Sequence, residues 1–193
     1  MLVLIGKATS GKDTVKNILL KEYGFHSIIT YTTRPKRKDE IDDVTYHYIS
    51  KEDFLNKIEN GFFAEWKKYN VNNEEWYYGS AKEDLINADD KSIVILTPDG
   101  VKDIKDNNIS AKIIYLYSNL STIKTRLKNR KDVDDKAEDR INRDLKDFKN
   151  AGELADKIVY NNLDDDINKV VEKVNKLYKE VSNNFKDNNT QSR

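Results

Sequence analysis

The chain alternates four short apolar runs with segments that have helical spacing. The runs lie at residues 2–5, 92–96, 112–117 and 157–160, and each is almost continuously apolar. Strands of this kind are buried on both faces, as in a parallel sheet covered by helices. Apolar residues at helical spacing follow the first run and recur from Ile167 to Val181. The pattern therefore predicts an α/β fold with a central parallel sheet and right-handed crossovers.

Two segments interrupt this alternation. Residues 30–80 predict a small mixed lobe with aromatic-rich strands, in which Ser50 caps a helix. Residues 124–150 predict a helical segment with many charges and little apolar stripe, which is typical of a mobile lid. The polar segment after about residue 182 predicts a tail that frays. The expected domain, residues 1–182, thus consists of a core (1–29, 81–123 and 151–182), an acceptor-binding lobe (30–80) and a lid (124–150), followed by a tail (183–193).

Charge and composition narrow the function classes. Among the 193 residues, Lys+Arg and Asp+Glu both number 34, so the formal net charge is zero. This balance predicts no overall attraction to nucleic acid or to anionic membranes, and any affinity for phosphate must be local. The chain has no cysteine, which excludes disulfides, thiolate metal ligands and a cysteine nucleophile. No apolar run approaches the ~20 residues of a spanning helix, and we expect a cytoplasmic monomer or homodimer without a membrane partner.

The segment GKATSGKDT, from Gly6 to Thr14, connects the first predicted strand to the first helix. Glycines let the backbone curl, successive N–H groups and the helix N-terminus face an anion, and Lys12 adds a positive charge. This context predicts a phosphate-binding loop. The usual Ser or Thr after the lysine is replaced by Asp13, whose carboxylate is favourable in the first helical turn. Thr14 is near enough to offer its hydroxyl to Mg²⁺.

Three further segments follow the loop and carry a family resemblance. They are TYTTRPKRKDEIDDVTYHYI (residues 30–49), FFAEW (62–66) and WYYGS (76–80). In this order after a phosphate loop, they resemble the guanylate kinase family, and the resemblance extends from residue 2 to about residue 177. It implies a P-loop NTPase three-layer fold with an inserted acceptor-binding lobe and a helical lid. It also implies transfer of a phosphoryl group from ATP, with Mg²⁺, to GMP or dGMP.

The residue types in these segments suit an acceptor nucleotide. Guanidinium groups bind phosphate oxygens bidentately, and phenolic hydroxyls supply neutral donors. Guanine presents N1–H and its 2-amino group as donors beside the O6 acceptor, which a carboxylate and a hydroxyl can satisfy. The positions that match the family's acceptor-phosphate residues are Arg34, Arg37, Tyr46 and Tyr78. Those that match its base-binding residues are Glu65 and Thr30, with Ser80 nearby and with Thr97 where the family usually has Asp.

Two departures from the family pattern affect the acceptor. Thr97 offers a neutral contact in place of a charged one, which predicts a less firmly held base. The 67–75 connection is longer than expected for the family. The acceptor could therefore be a nucleotide other than GMP.

The predicted lid supplies positive charge for the migrating phosphoryl group. The positions that resemble the family's lid arginines are Arg126, Arg130 and Arg140. Arg126 and Arg130 are four residues apart on one helical face. Arg143 is an alternative to Arg140, because the match to the family shifts by one position across this segment. Asn161, after the last strand, resembles a residue near the adenine of ATP. The predicted catalytic residues are Lys12, Arg37, Arg126 and Arg140. The predicted ATP-binding residues are Gly6, Ser10, Gly11, Lys12, Asp13, Thr14, Arg130 and Asn161.

Two other functions remain open at the level of sequence. Gly-Lys-Asp-Thr loops also occur in kinases for deoxynucleoside monophosphates and for ribose bisphosphate, which makes another small-acceptor kinase an alternative. A non-catalytic guanylate-kinase-like module that binds protein ligands is the second alternative. Such modules typically lose the loop lysine and the lid arginines, whereas Lys12, Arg126 and Arg140 are present here.

Overall fold

The computed structural model of the chain describes residues 1–71, 73–129 and 137–190. The strands are β1 (Leu2–Ile5), β2 (His26–Ser27), β3 (Tyr31–Thr32), β4 (His47–Tyr48), β5 (Phe63–Val71), β6 (Glu74–Ala81), β7 (Ser92–Ile95), β8 (Lys112–Tyr117) and β9 (Lys157–Tyr160). The helices are α1 (Lys12–Glu22), α2 (Lys51–Glu59), α3 (Lys82–Ile86), α4 (Pro98–Asp106), α5 (Leu120–Lys128), α6 (Ala137–Asp147), α7 (Ala151–Leu154) and α8 (Ile167–Thr190).

A five-stranded parallel sheet forms the centre of the fold, in the order β2-β7-β1-β8-β9. The four apolar runs of the sequence are four of its strands, which confirms the predicted sheet. The expected burial on both faces is wrong for β9, which lies at the edge of the sheet and buries only Val159. β1 lies in the middle, with Val3 opposite Val94 on one side and Ile113 on the other. All four residues of β1 are buried, because helices cover both faces of the sheet.

The residues of β1 alternate between two apolar clusters. Val3 and Ile5 pack on one face with buried residues of α4 and α7, whereas Leu2 and Leu4 pack on the other with α1 and α8. The molecule is therefore built of three layers, as the α/β pattern predicts. Because β1 ends in the middle of the sheet, the loop that follows it lies at the carboxyl edge, where open α/β sheets bind ligands.

A second sheet, in the order β4-β3-β6-β5, lies within the predicted acceptor-binding lobe. Its long hairpin pairs Trp66 with Gly79 and Lys67 with Tyr78. A separate aromatic cluster holds this sheet to α2: the rings of Phe54 and Phe63 stack with centroids 4.4 Å apart. The predicted cap of α2 is confirmed, because the hydroxyl of Ser50 accepts the N–H of Asp53 at 3.0 Å.

The C-terminal helix differs from the expectation. α8 continues to Thr190, although the apolar repeat ends at Val181 and the segment beyond it was expected to fray. No glycine or proline interrupts residues 182–190, so no residue there forces the helix to stop. Among the described residues, no helix is both long and apolar enough to cross a membrane.

Candidate active site

The loop between β1 and α1 is tightly folded and requires glycine at two positions. Gly11 has φ 96°, and a Cβ there would lie 2.4 Å from Nδ2 of Asn161. A Cβ at Gly6 would lie 2.5 Å from Oγ of Ser10 and 2.7 Å from the carbonyl oxygen of Leu116. The backbone of the loop therefore packs directly against the end of β8 and against Asn161, the residue after β9.

The polar side chains of the loop suit phosphate. The ammonium of Lys12 lies across the loop and donates to the carbonyls of Gly6 and Lys7 at 2.7 and 2.9 Å. Ser10 is fully buried, and its hydroxyl has no hydrogen-bond partner among the residues that the structure describes. A buried orphan hydroxyl is costly unless a ligand or water satisfies it. Asp13 and Thr14 are exposed in the first turn of α1, directly after Lys12.

The side chains of Arg126 and Asn161 donate hydrogen bonds to backbone carbonyls of the loop. The guanidinium of Arg126 donates to the carbonyls of Thr9 and Asn161, both at 3.2 Å, and to that of Asn162 at 3.0 Å. The side chain of Asn161, only 2% exposed, donates to the carbonyl of Ser10 at 2.8 Å. Both residues therefore shape the phosphate loop, and their expected contacts with ATP stay predictions.

Helix α6 of the predicted lid reaches the loop through a carboxylate that sequence reasoning missed. The N–H of Ala8 donates to Oδ2 of Asp144 at 2.6 Å. Burial raises the pKa of Asp144, whereas the Ala8 N–H and the nearby charges of Lys12 and Arg140 lower it. Arg140 lies one turn before Asp144 on the same helix, and the competing Arg143 has its guanidinium 5.2 Å from the ring centroid of Tyr69. Arg130 lies outside the described residues.

The predicted acceptor-phosphate residues cluster around a second carboxylate that sequence reasoning also missed. Arg34, only 4% exposed, donates to both oxygens of Glu40 at 2.7 and 2.8 Å. The same carboxylate accepts the backbone N–H of Arg37 and the hydroxyl of Tyr48, each at 2.8 Å. Burial alone would lower the pKa of Arg34, but the hydrogen bonds to Glu40 raise it. The available signal was an acidic pair, Asp39 and Glu40, directly after a basic run.

Two tyrosines complete this cluster. The guanidinium of Arg34 lies 5.8 Å from the ring centroid of Tyr46, and the rings of Tyr46 and Tyr78 lie 6.1 Å apart. Burial raises the pKa of Tyr78, while the neighbouring Arg34 and Arg37 lower it. The structure therefore brings all four predicted phosphate residues together. Two cations and two phenol hydroxyls in one cluster are suited to a phosphate group.

The predicted base-binding residues Glu65 and Ser80 lie opposite each other on β5 and β6. The hydroxyl of Ser80 donates to Oε1 of Glu65 at 2.6 Å, and both side chains are buried. Burial raises the pKa of Glu65 to about 7, against the effect of the Ser80 hydroxyl. A Cβ at Gly100 would lie 2.7 Å from Oε2 of Glu65, so this glycine in α4 makes room for the carboxylate.

Thr97 and Thr30 have structural contacts of their own. Oγ1 of Thr97 accepts the N–H of Gly100 at 3.0 Å and caps α4. The carbonyl of Thr30 accepts the N–H of His47 at 2.9 Å, and its side chain is partly buried. Their expected contacts with the base stay predictions.

Comparisons with known proteins agree with this geometry. The family model described as guanylate kinase matches residues 1–180. The chain is 30% identical over 185 residues to a guanylate kinase of Oceanobacillus iheyensis, with 93% of this chain and 86% of that protein covered. It is 30% identical over 182 residues to a guanylate kinase of Caldanaerobacter subterraneus, with 90% and 84% covered.

A shorter sequence alignment and a structural comparison also match guanylate kinases. Over 90 residues the chain is 42% identical to a guanylate kinase of Wolinella succinogenes, an alignment that covers 46% of this chain and 40% of that protein. The crystal structure of guanylate kinase from Anaplasma phagocytophilum superimposes with a TM-score of 0.67 at 16% identity, covering 93% of this chain and 85% of that one. The structural similarity shows a shared fold.

Proposed function

Because the chain belongs to the guanylate kinase family, we propose that it transfers the γ-phosphoryl group of ATP to GMP or dGMP. The products are ADP and GDP or dGDP. The observation that supports the acceptor most directly is the buried pair of Glu65 and Ser80. No contact among the described residues favours a ribose bisphosphate acceptor or a non-catalytic module. The proposal includes a cytoplasmic location, because both nucleotides are intracellular metabolites.

Guanine is recognised through the ionised carboxylate of Glu65. N1–H and the 2-amino group of guanine are adjacent donors, and a carboxylate accepts both. Adenine has no N1–H, so it would leave the buried carboxylate short of a partner at a cost of roughly 1–3 kcal/mol. The Ser80 hydroxyl already holds one oxygen of Glu65 in place. The site therefore favours guanine over adenine.

The donor nucleotide is held by the loop between β1 and α1. The loop N–H groups, the ammonium of Lys12 and the orphan hydroxyl of Ser10 fit the oxygens of the ATP phosphates. The exposed hydroxyl of Thr14, a hard oxygen ligand, would hold Mg²⁺. When bound, Mg²⁺ neutralises charge on the transferring phosphates.

The protein mainly positions the two nucleotides. An oxygen of the GMP phosphate attacks the γ-phosphorus in line, and the bond from that phosphorus to the β–γ bridging oxygen breaks as ADP leaves. The attacking phosphate is already an anion, so no base has to remove a proton. Arg34, Arg37 and the two tyrosines orient the acceptor, while Lys12 and Arg140 place positive charge near the migrating group.

A nucleotide panel tests the proposal. ADP formation is measured with GMP, dGMP, AMP and dTMP, with Mg²⁺ and ATP, for the wild-type protein and Glu65→Gln. We expect a guanine preference that falls by about ten- to a hundredfold in the variant, because a charge-assisted hydrogen bond is lost. The matched control is Glu75→Gln, a carboxylate on the same hairpin that pairs with Lys51 and Lys68.

Three outcomes would each contradict a different part of the proposal. A wild-type protein that prefers AMP or dTMP would contradict the proposed acceptor. A Glu65→Gln variant that keeps its preference for GMP would show that another residue recognises the base. An equal loss in Glu75→Gln would mean that the effect is not specific to the buried pair.

A further inference from the structure

Lys67 lies where the acceptor-binding lobe, the core and the predicted lid meet. Its ammonium contacts Oδ2 of Asp99 in the first turn of α4 at 2.7 Å and Oδ2 of Asp147 at the end of α6 at 3.1 Å. The side chains of Lys67 and Asp147 are each 22% exposed, so this ion pair is largely withdrawn from water. Burial would lower the pKa of Lys67, but the two carboxylates raise it and keep the cation.

A second contact lies beside the first. The guanidinium of Arg143 in α6 lies 5.2 Å from the ring centroid of Tyr69 in β5. Lys67 and Tyr69 are two residues apart on the same face of the strand, roughly 7 Å along it. Arg143 and Asp147 are four residues apart on one face of the helix, about 5–6 Å between Cβ atoms. The distance between Lys67 and Tyr69 along β5 is therefore similar to the distance between Asp147 and Arg143 along α6. The two contacts form together, and they fix the position of α6 along β5.

This position determines what α6 presents to the phosphate loop. Arg140 and Asp144 precede Arg143 and Asp147 on the same helix, and Asp144 contacts the N–H of Ala8. At the other end of the contact, β5 also carries Glu65, the base-recognition residue, on the same face as Lys67. One strand therefore holds both the acceptor base and the helix that brings Arg140 to the loop.

We propose that Lys67 is a positioning residue for phosphoryl transfer, which docks α6 on the acceptor-binding lobe through Asp147 and so sets the place of Arg140. The inference rests on the proposed function for its effect on rate, but the docking itself does not depend on it. Lys67 touches neither reacting group. Its loss should therefore lower kcat while the KM for GMP changes little and the affinity for ATP does not weaken, because α6 also carries Asp144 on the loop.

The experiment compares Lys67→Met with Lys68→Met. Lys68 is the adjacent lysine, on the opposite face of β5, where it pairs with Glu75 at 2.8 Å. We expect kcat to fall about tenfold in Lys67→Met, as for the loss of one charge-assisted hydrogen bond, and to stay near the wild-type value in Lys68→Met. Lys67→Arg should restore most of the rate. In a double-mutant cycle, Asp147→Asn should add little to Lys67→Met.

Hydrogen exchange supplies a readout that needs no activity. Amides of residues 137–147 should exchange faster in Lys67→Met than in Lys68→Met or the wild type. Unchanged exchange there would overturn the docking. Faster exchange with an unchanged kcat in an active enzyme would overturn the positioning role. Faster exchange in a protein that phosphorylates no nucleotide would support the docking and contradict the proposed function instead.

Discussion

The burial of Glu65 favours its protonated form, whereas the proposed recognition of guanine needs its ionised form. It is only 8% exposed, and burial raises its pKa to about 7, so near neutral pH much of it carries a proton. Recognition of guanine needs the ionised form, because both donors of the base must find an acceptor. Bound GMP should therefore lower the pKa of Glu65. In the free protein this buried carboxyl group has the Ser80 hydroxyl as a partner, and bound guanine would add two donors.

This conflict predicts a specific dependence of stability on pH. Between the ordinary value of 4.5 and about 7, the native protein binds more protons at Glu65 than the unfolded chain does. The free energy of unfolding should therefore fall as pH rises through this window, by up to roughly 3 kcal/mol from this group. Glu65→Gln removes the titrating group and should gain stability relative to the wild type as pH rises. Denaturant unfolding without nucleotide, at a series of pH values, measures the difference.

Glu75→Gln is again the control, because its hydrogen bonds with Lys51 and Lys68 lower the pKa of Glu75 to about 2. That carboxylate does not titrate in the same window. If the wild type and Glu65→Gln keep a constant difference in stability from pH 4.5 to above 7, Glu65 does not titrate there.

At the scale of elements, α6 and the nucleotide compete for the phosphate loop. Asp144 accepts the N–H of Ala8 at 2.6 Å. Burial raises the pKa of this carboxyl, and the Ala8 N–H and the charges of Lys12 and Arg140 oppose the rise only in part. Backbone N–H groups of such loops are the donors that nucleotide phosphates use. If the loop holds ATP as proposed, the nucleotide phosphates have to displace the carboxylate of Asp144 from the Ala8 N–H.

Asp144→Asn should consequently bind ATP more tightly than the wild type. A neutral amide oxygen is a weaker acceptor than a carboxylate, and the variant also removes a negative charge next to the phosphates. The expected gain is about three- to tenfold in Kd, measured by calorimetry with ATP alone. Asp139→Asn, an exposed acid in the first turn of the same helix, is the control and should leave the Kd unchanged. Weaker binding in Asp144→Asn would show that the carboxylate supports the nucleotide.

The elements that the sequence predicted are those whose determinants are local. The loop after β1 follows from nine consecutive residues, and β1, β7, β8 and β9 follow from continuous apolar runs, although the edge strand β9 buries only Val159. The strands β2 and β3 have two residues each, too few to show any alternation. The same limit explains the end of α8, because a helix without an apolar stripe or a stop signal has no marked end.

The carboxylates of the site were missed for a different reason. Glu40, Asp144 and Asp147 stand in segments crowded with charge, where many acidic residues have similar spacing. Which of them contacts Arg34, Ala8 or Lys67 depends on how distant elements pack, and no local pattern contains that information. The resemblance to the family identified the arginines and tyrosines, because they stand in the short segments 30–49 and 76–80 that carry the resemblance.

At the scale of the whole molecule, two sheets with separate cores meet at the beginning of β5. Phe63 packs in the aromatic cluster of the second sheet, whereas its neighbour Ala64 packs in a cluster of the central sheet. The carbonyl of Ala64 also accepts the side-chain amide of Asn107 at 3.2 Å. Because adjacent residues belong to different cores, the central sheet can keep its packing when the aromatic cluster is weakened.

Phe54→Ala tests this division. Phe54 is fully buried against Phe63 and Tyr77, outside both clusters of the central sheet, and its truncation should cost about 3–5 kcal/mol. We expect faster hydrogen exchange in β5 and β6, with β1 and β8 as protected as in the wild type. The KM for GMP should rise, because Glu65 and Tyr78 lie on this hairpin, while the Kd for ATP should hold.

The matched change in the other core is Val171→Ala, a buried residue of α8 in the cluster that covers β1. It should speed exchange in β1 and β8, and also in the hairpin, because β5 begins on the central sheet and loses that support when the sheet opens. The two variants thus predict that the second sheet depends on the central sheet but not the reverse. The second sheet can open while the central sheet stays folded, whereas opening of the central sheet also opens the second sheet. Equal acceleration of exchange in both sheets by Phe54→Ala would contradict it and would mean that the molecule unfolds as one cooperative unit.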